Sequence, residues 1–458
     1  MKIMKRVINI LVAMTVGLMG FCTCACASEE ANPPGKAVET PADATKWVET
    51  LLGDNPQVLE DAWLMTSQMK LAIALSGGMA KTAESLSSLG TIEKIGSAYE
   101  GELKGYKVFY VPCVFSAMSI DLIVVTDNGA VAGLQTGPYT GDKDEAAESD
   151  LFDSIELSLP VPSLQGELPG TLTVPKGEGP FPAVVLIQGS GPSDRDETMM
   201  NAKPFRDIAE GLAEKGIAVY RFDKRTYVYG VELMDDHQAT LVDESIADAV
   251  AAVQLLATQD KIDPSRIFVL GHSLGGNAIP AIDQALQDQP VSACGYILMA
   301  ASTRPLDQLM REQYDYLYSL MPEITSEQQA EKDALFAELD KLENLDSLTE
   351  NDMIAGAYAP YWKWLAEYDV LKTAQEITKP CLLLQGEEDY QVTVEDFEIW
   401  KDAFGEKENW QLVLYPGLIH IFTTGQKSEG AAAYAHAEKV DAQVIEDIAA
   451  FVNQTEAK

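Results

Sequence analysis

The sequence predicts an α/β domain built on a mostly parallel sheet with a helical cap insertion, preceded by a small α+β domain. Three observations carry this expectation. From about residue 154 onward, short apolar runs alternate with helix-length segments, as they do when the strands of a parallel sheet are buried on both faces. One such run, Arg266-Ile-Phe-Val-Leu, leads straight into Gly271-His272-Ser273-Leu274-Gly275-Gly276. Ahead of residue 140 the pattern differs, with helical spacing first and strict alternation afterwards.

Residues 1–27 read as a secretory signal: a basic start, Met1 to Arg6, then an apolar stretch, Val7 to Phe21, too short to span a membrane comfortably. Ala25-Cys26-Ala27 supplies a cleavage site that would leave Ser28 first. The competing reading uses Cys24 or Cys26 as a lipid-bearing cysteine. Both place the protein outside the cytoplasm, secreted or lipid-anchored to the outer face of the cell membrane. Residues 28–42, with Asn32-Pro33-Pro34-Gly35, read as a tether.

Residues 43–140 are expected to form the accessory α+β domain. Apolar residues such as Trp47, Leu51, Leu59 and Trp63 recur at helical spacing through about residue 100. Tyr106, Val108 and Tyr110, then Ile120, Leu122 and Val124, alternate as strands do, and Asp127-Asn128-Gly129 is a hairpin turn. An acidic linker is expected over 141–153, and the main domain over 154–458. There Ile155-Glu-Leu-Ser-Leu and Gly170-Thr-Leu-Thr-Val pair antiparallel, and strands follow at Ala183–Gln188, Ile217–Phe222, Arg266–Gly271, Tyr296–Ala300, Pro380–Gln385 and Trp410–Tyr415. The polar, helical stretch from about 303 to 377, which carries Tyr361-Trp362-Lys363-Trp364, interrupts the alternation and reads as a cap.

The 458 residues carry a net charge of −38. A surface this acidic repels phosphate backbones and anionic headgroups, which argues against nucleic-acid and peripheral membrane binding and leaves a lipid anchor as the one membrane link. Outside the leader the cysteines are Cys113, Cys294 and Cys381, an odd set in apolar segments that reads as buried thiols and not as a disulfide framework. No Cys/His spacing suggests a metal site, and no cofactor is implied.

A strand that enters Gly-x-Ser-x-Gly and leaves as a helix is a nucleophile elbow, whose glycines allow the sharp turn that presents the serine hydroxyl. With Asp389 in Gly386-Glu-Glu-Asp after one strand and His420 in Pro416-Gly-Leu-Ile-His after the next, the chain from about 154 resembles the α/β-hydrolase superfamily, in its secreted bacterial esterase and prolyl-oligopeptidase-like subgroup. The resemblance implies Ser273 as nucleophile, His420 as base and Asp389 as the acid that orients it. Glu387 and Glu388 stand closer to the strand end and read as solvated loop charges. The backbone N–H groups of Leu274 and Ser190 would form the oxyanion hole, with Gln188 where relatives often have histidine. The N-terminal domain is similar to the nuclear-transport-factor-2-like cone.

Charged residues in Ser193-Asp-Arg-Asp196 and Arg221-Phe-Asp-Lys-Arg225 read either as loop-fixing ion pairs or as groups that face substrate. His272 reads as a packing neighbour of the nucleophile before a second base, and Tyr361 to Trp364 as cap core or pocket wall. The expected activity is hydrolysis of small carboxylic esters. A prolyl-oligopeptidase-like peptidase and a non-catalytic binding module on the same fold are the alternatives.

Overall fold

A computed structural model describes residues 35–75, 78–86, 89–103, 106–116, 119–138, 149–200, 202–230, 233 and 235–456. The expected leader, the first part of the tether and residues 141–148 of the expected linker lie outside the described residues. The chain separates into two compact units, residues 1–145 and 146–458.

In the first unit, helices at Pro41–Leu51, Val58–Ala62, Ser67–Leu75 and Met79–Leu86 precede strands β1 (Ile92–Ile95), β2 (Tyr99–Leu103), β3 (Tyr106–Phe115), β4 (Ser119–Asp127) and β5 (Ala130–Pro138). Thr40 begins the first helix with a capping box, its hydroxyl accepting from Asp43 N–H. The sheet is antiparallel in the order β1-β3-β4-β5, with β2 also on β3. Asn128 and Gly129 turn the β4–β5 hairpin at φ 49° and 81°, the left-handed pair that a two-residue turn requires. Trp47, Phe109 and Leu122 are fully buried between helices and sheet. Helical spacing was expected to run to about residue 100, and here the structure differs. β1 and β2 are half-exposed Ile-Glu-Lys-Ile and Tyr-Glu-Gly-Glu-Leu segments, held by backbone pairing to β3, so they show no apolar alternation to read.

The second unit opens with β6 (Phe152–Glu156), which includes the last two residues of the expected linker, then a hairpin of β7 (Leu159–Val161) and β8 (Gly166–Leu168), and β9 (Gly170–Pro175). It continues through β10 (Phe181–Ile187), β11 (Ala218–Phe222), β12 (Ile262–His272), β13 (Gly295–Met299), the cap hairpin of β14 (Met353–Ile354) and β15 (Ala357–Tyr358), β16 (Cys381–Gly386) and β17 (Trp410–Tyr415). Eight of these form one sheet in the order β17-β16-β13-β12-β10-β11-β9-β6. The six strands from β17 to β11 run parallel, while β9 and β6 add an antiparallel edge.

Alternate residues of the central strands feed two separate cores, which is why these strands read as unbroken apolar runs. Val185, Val269, Leu298 and Leu383 face the helices at Ala247–Leu256, Leu274–Leu286 and Val394–Phe404. Val184, Leu270, Ile297 and Leu382 face those at Pro204–Ala213 and Ala442–Gln454. The chain steps outward from β10 to β11 and then returns past β10 to β12. Such a reversal leaves a crevice at the carboxyl ends of β10 and β12, where ligands bind in sheets of this kind.

The insertion consists of helices at Leu306–Ser319, Ser326–Leu339, Ala359–Glu367 and Val370–Ala374, with the β14–β15 hairpin among them. Leu339, Ile354, Ala359 and Trp362 form its own small core. At its root Arg304 donates to fully buried Asp396, Nε and Nη2 lying 3.1 and 2.8 Å from Oδ2.

The sheet leaves no room at the elbow. A Cβ on Gly275 would lie 2.4 Å from Ile187 O and 2.6 Å from Gln188 O, both backbone atoms. Gly275→Ala is therefore expected to cost about 3 kcal/mol or more in urea unfolding. A loss below about 1 kcal/mol would mean that β10 and the elbow helix do not approach this closely.

Candidate active site

β12 ends at His272, the helix Leu274–Leu286 begins one residue later, and Ser273 alone makes the turn at φ 56° and ψ −117°. That backbone is costly for a residue with a Cβ. Its glycine neighbours make it accessible: a Cβ on Gly271 would lie 2.2 Å from Gly275 O, and one on Gly276 2.9 Å from Ala301 Cβ. Ser273 N–H donates to Met299 O at 2.8 Å, tying the turn to the end of β13. The side chain is half-buried at the top of the sheet.

Asp389 lies in the loop after β16 and His420 in the loop after β17. His420 Nδ1 stands 2.6 Å from Asp389 Oδ2, and both side chains are buried. The other carboxylate oxygen accepts the N–H groups of Gln391 and Val392 at 2.7 and 3.0 Å. Gln385 Nε2 donates to Oδ2 at 3.3 Å. With these donors Asp389 is fixed as an acceptor, so His420 Nδ1 carries the proton and Nε2 is left as the basic nitrogen. Glu387 is exposed and Glu388 accepts Lys427 N–H at 3.0 Å, away from the histidine.

Leu274 is the first residue of its helix, where a backbone N–H has no partner within the helix. Gly189, the residue before Ser190, packs on Ser273, since a Cβ there would lie 3.1 Å from Ser273 Cβ. The loop that carries Ser190 is held from beneath by the segment after β11. Lys224 Nζ donates to Gly189 O at 2.6 Å, Lys224 N–H to Ser193 O at 2.9 Å, and Thr226 Oγ1 to Gly191 O at 3.1 Å. Gln188 Nε2 donates to Phe222 O.

The charged runs that sequence left open are loop-fixing pairs. Arg195 meets Asp223 at 3.0 and 3.1 Å and Glu156 at 2.8 Å. Arg221 meets Asp196 at 2.8 Å, and Arg225 forms a buried pair with Asp248. Of the cap aromatics, Trp362 donates to Ile354 O inside the cap core, while Tyr361 OH donates to Glu244 Oε2 at 2.7 Å. Among the described residues, no group of three or more His, Cys, Asp or Glu side chains is placed to hold a metal ion.

Sequence reasoning missed Glu197. Its Oε1 accepts Gly189 N–H at 2.7 Å, and its Oε2 lies 2.9 Å from His272 Nδ1 at ion-pair distance, too poorly aligned for a hydrogen bond. His272 Nε2 donates to His420 O at 3.0 Å. One carboxylate and one imidazole thus join the loop of Gly189 and Ser190 to the loop of His420. Nothing in the spacing singles out Glu197; the one hint was a histidine at the end of a buried strand, which needs partners.

A curated relative, Esterase EstD from Thermotoga maritima, is 36% identical over 348 residues, 76% of this chain and 80% of its own. The chain belongs to the α/β-hydrolase superfamily, in its serine-esterase branch. The family model described as "Serine aminopeptidase, S33" matches residues 199–426 of this hydrolase. Among solved structures, Est1E from Butyrivibrio proteoclasticus is similar at TM-score 0.42 and 18% identity, over 66% of the hydrolase and 99% of its own chain. A puromycin-hydrolyzing peptidase from Mycobacterium tuberculosis is similar at TM-score 0.44 and 19% identity, over 80% and 48%.

Burial alone would lower the pKa of His272, but Glu197's carboxylate and the His420 carbonyl more than offset it, so the group is raised above its ordinary 6.5. A raised folded-state value gives stability that is complete below the unfolded pKa and is lost as pH climbs through the folded one. Glu197→Gln should therefore cost about 2 kcal/mol near pH 6, with the penalty shrinking toward pH 9. Equal penalties at the two pH values would show that His272 is not charged in the native hydrolase.

Proposed function

We propose that this hydrolase cleaves small carboxylic esters outside the cytoplasm through an acyl-enzyme on Ser273. The observation that carries the reading is the buried Asp389–His420 pair, 2.6 Å apart, in the loops after β16 and β17 of the sheet whose β12 presents Ser273. Kinship to an esterase supports the ester class, and the basic and apolar pattern of residues 1–27 supports export.

A free serine hydroxyl is a weak nucleophile, so its proton must leave as the Oγ–carbon bond forms. His420 Nε2 accepts it, while Asp389 holds Nδ1–H and stabilises the imidazolium. The carbonyl oxygen becomes an oxyanion beside the N–H groups of Leu274 and Ser190. Collapse expels the alcohol, which takes the proton back from His420. Water then repeats the sequence on the acyl-enzyme and frees Ser273. Peptide hydrolysis by the same residues is the second reading, favoured by the aminopeptidase description of the matching family model.

Ser273→Ala should abolish turnover of p-nitrophenyl acetate and labelling by a fluorophosphonate. Asp389→Asn should lower kcat about 10⁴-fold through the wrong imidazole tautomer. Near-normal activity in either folded variant would overturn the mechanism.

A panel of p-nitrophenyl esters of rising chain length, an acetylated sugar and Xaa-Pro anilides separates the two readings. Short and medium neutral esters should be turned over best, because an acidic surface opposes approach of anions. Efficient anilide cleavage with feeble ester turnover would transfer the assignment to peptidase. No turnover of any of them would favour a non-catalytic module.

A further inference from the structure

Gly189 O and the Ser190 N–H belong to one peptide group. The only cis peptide among the described residues is Gly179–Pro180, so this group is trans, and its carbonyl and N–H point in opposite directions. Whatever grips Gly189 O from behind therefore decides where the Ser190 N–H is aimed. That grip is Lys224, whose side chain is 2% exposed and whose Nζ lies 2.6 Å from the carbonyl oxygen. A buried ammonium needs a counter-charge, and Glu244 supplies it through Oε1. The other oxygen of Glu244 accepts Tyr361 OH at 2.7 Å, from the cap helix Ala359–Glu367. Gly189 N–H is already taken by Glu197 at 2.7 Å, so the peptide on its far side is anchored as well.

We propose that Lys224, held by Glu244 and the cap residue Tyr361, is a positioning residue that orients and polarises the Gly189–Ser190 peptide as an oxyanion donor. The proposal rests on the reading of Ser190 N–H as part of the oxyanion hole. A positive charge on the carbonyl end of an amide withdraws electron density and strengthens its N–H as a donor. The gain comes when negative charge develops on the substrate oxygen, so it belongs to the transition state and not to substrate binding. The same chain of contacts links the cap to the catalytic centre through hydrogen bonds alone, and Tyr361 stays a neutral donor because burial and then Glu244 push its pKa well above 10.0.

The test uses the full chain with p-nitrophenyl acetate. Lys224→Met combined with Glu244→Gln removes both charges together, so neither is stranded in the interior. Its kcat should fall about 10- to 100-fold with KM changed less than about threefold. Affinity for a trifluoromethyl ketone, which adds Ser273 Oγ to its carbonyl and mimics the tetrahedral intermediate, should fall in parallel. Tyr361→Phe, which leaves both charges in place, should show the same split at about 3- to 10-fold. A merely structural role would lower the melting temperature and leave kcat and ketone affinity of the folded fraction untouched, and that result in either variant overturns the proposal. Replacing the Ser190 amide by an ester, through an α-hydroxy acid at that position, separates the two readings. If the ester lowers kcat while the double variant does not, Ser190 remains the donor and the role of Lys224 falls. If the ester leaves kcat unchanged, Ser190 is not a donor and both fall together.

Discussion

A serine at φ 56° and ψ −117° sits against its own steric preference, and it stays there because the backbone around it is locked by close approach on several sides. The elbow helix packs so tightly on the end of β10 that Gly275 has no room for a methyl group, and Gly271 is closed off by the first turn of that same helix. Strain of this kind persists only where surrounding packing over-determines it. The two apolar cores supply that packing, one on each face of the sheet. The strained turn at Ser273 is thus a consequence of burial elsewhere, and the loops that face it inherit their positions from the same strands.

The second level of order is polar. Around the crevice the structure buries Lys224 with Glu244, Arg225 with Asp248, Arg304 with Asp396 and His272 with Glu197. Pairs like these do little for stability compared with apolar packing, because desolvation consumes most of their attraction. What they do provide is direction: each ties together segments distant in sequence, and the atoms held by two of them include the carbonyl and N–H of Gly189. The esterase chemistry needs donors placed before charge develops. A buried ion pair costs stability and returns that placement.

Much of this was legible in the sequence, and the reasons differ by element. Strands buried on both faces announce themselves as apolar runs, and β10, β12, β13, β16 and β17 fall within a few residues of their expected bounds. The hairpin at Asn128-Gly129 was legible because few residues accept a positive φ. β1 and β2 were not, since their order comes from backbone pairing with β3 and their side chains face both ways. The cap read as helical from its spacing, but its two-residue hairpin strands are too short to show a period, and the contact of Tyr361 is with Glu244, more than a hundred residues away.

By itself the sequence determined the sheet, the elbow and the order serine, carboxylate, histidine, because these follow from local periodicity, glycine sterics and the spacing of motifs along one chain. Tertiary structure alone decided that the two charged runs beside the crevice are loop-fixing pairs and that Glu197 and Lys224 grip the two sides of Gly189. Ionic side chains have no period and no turn preference to betray their partners. Their pairing is set by where distant strand ends come together, and that is a property of the folded sheet.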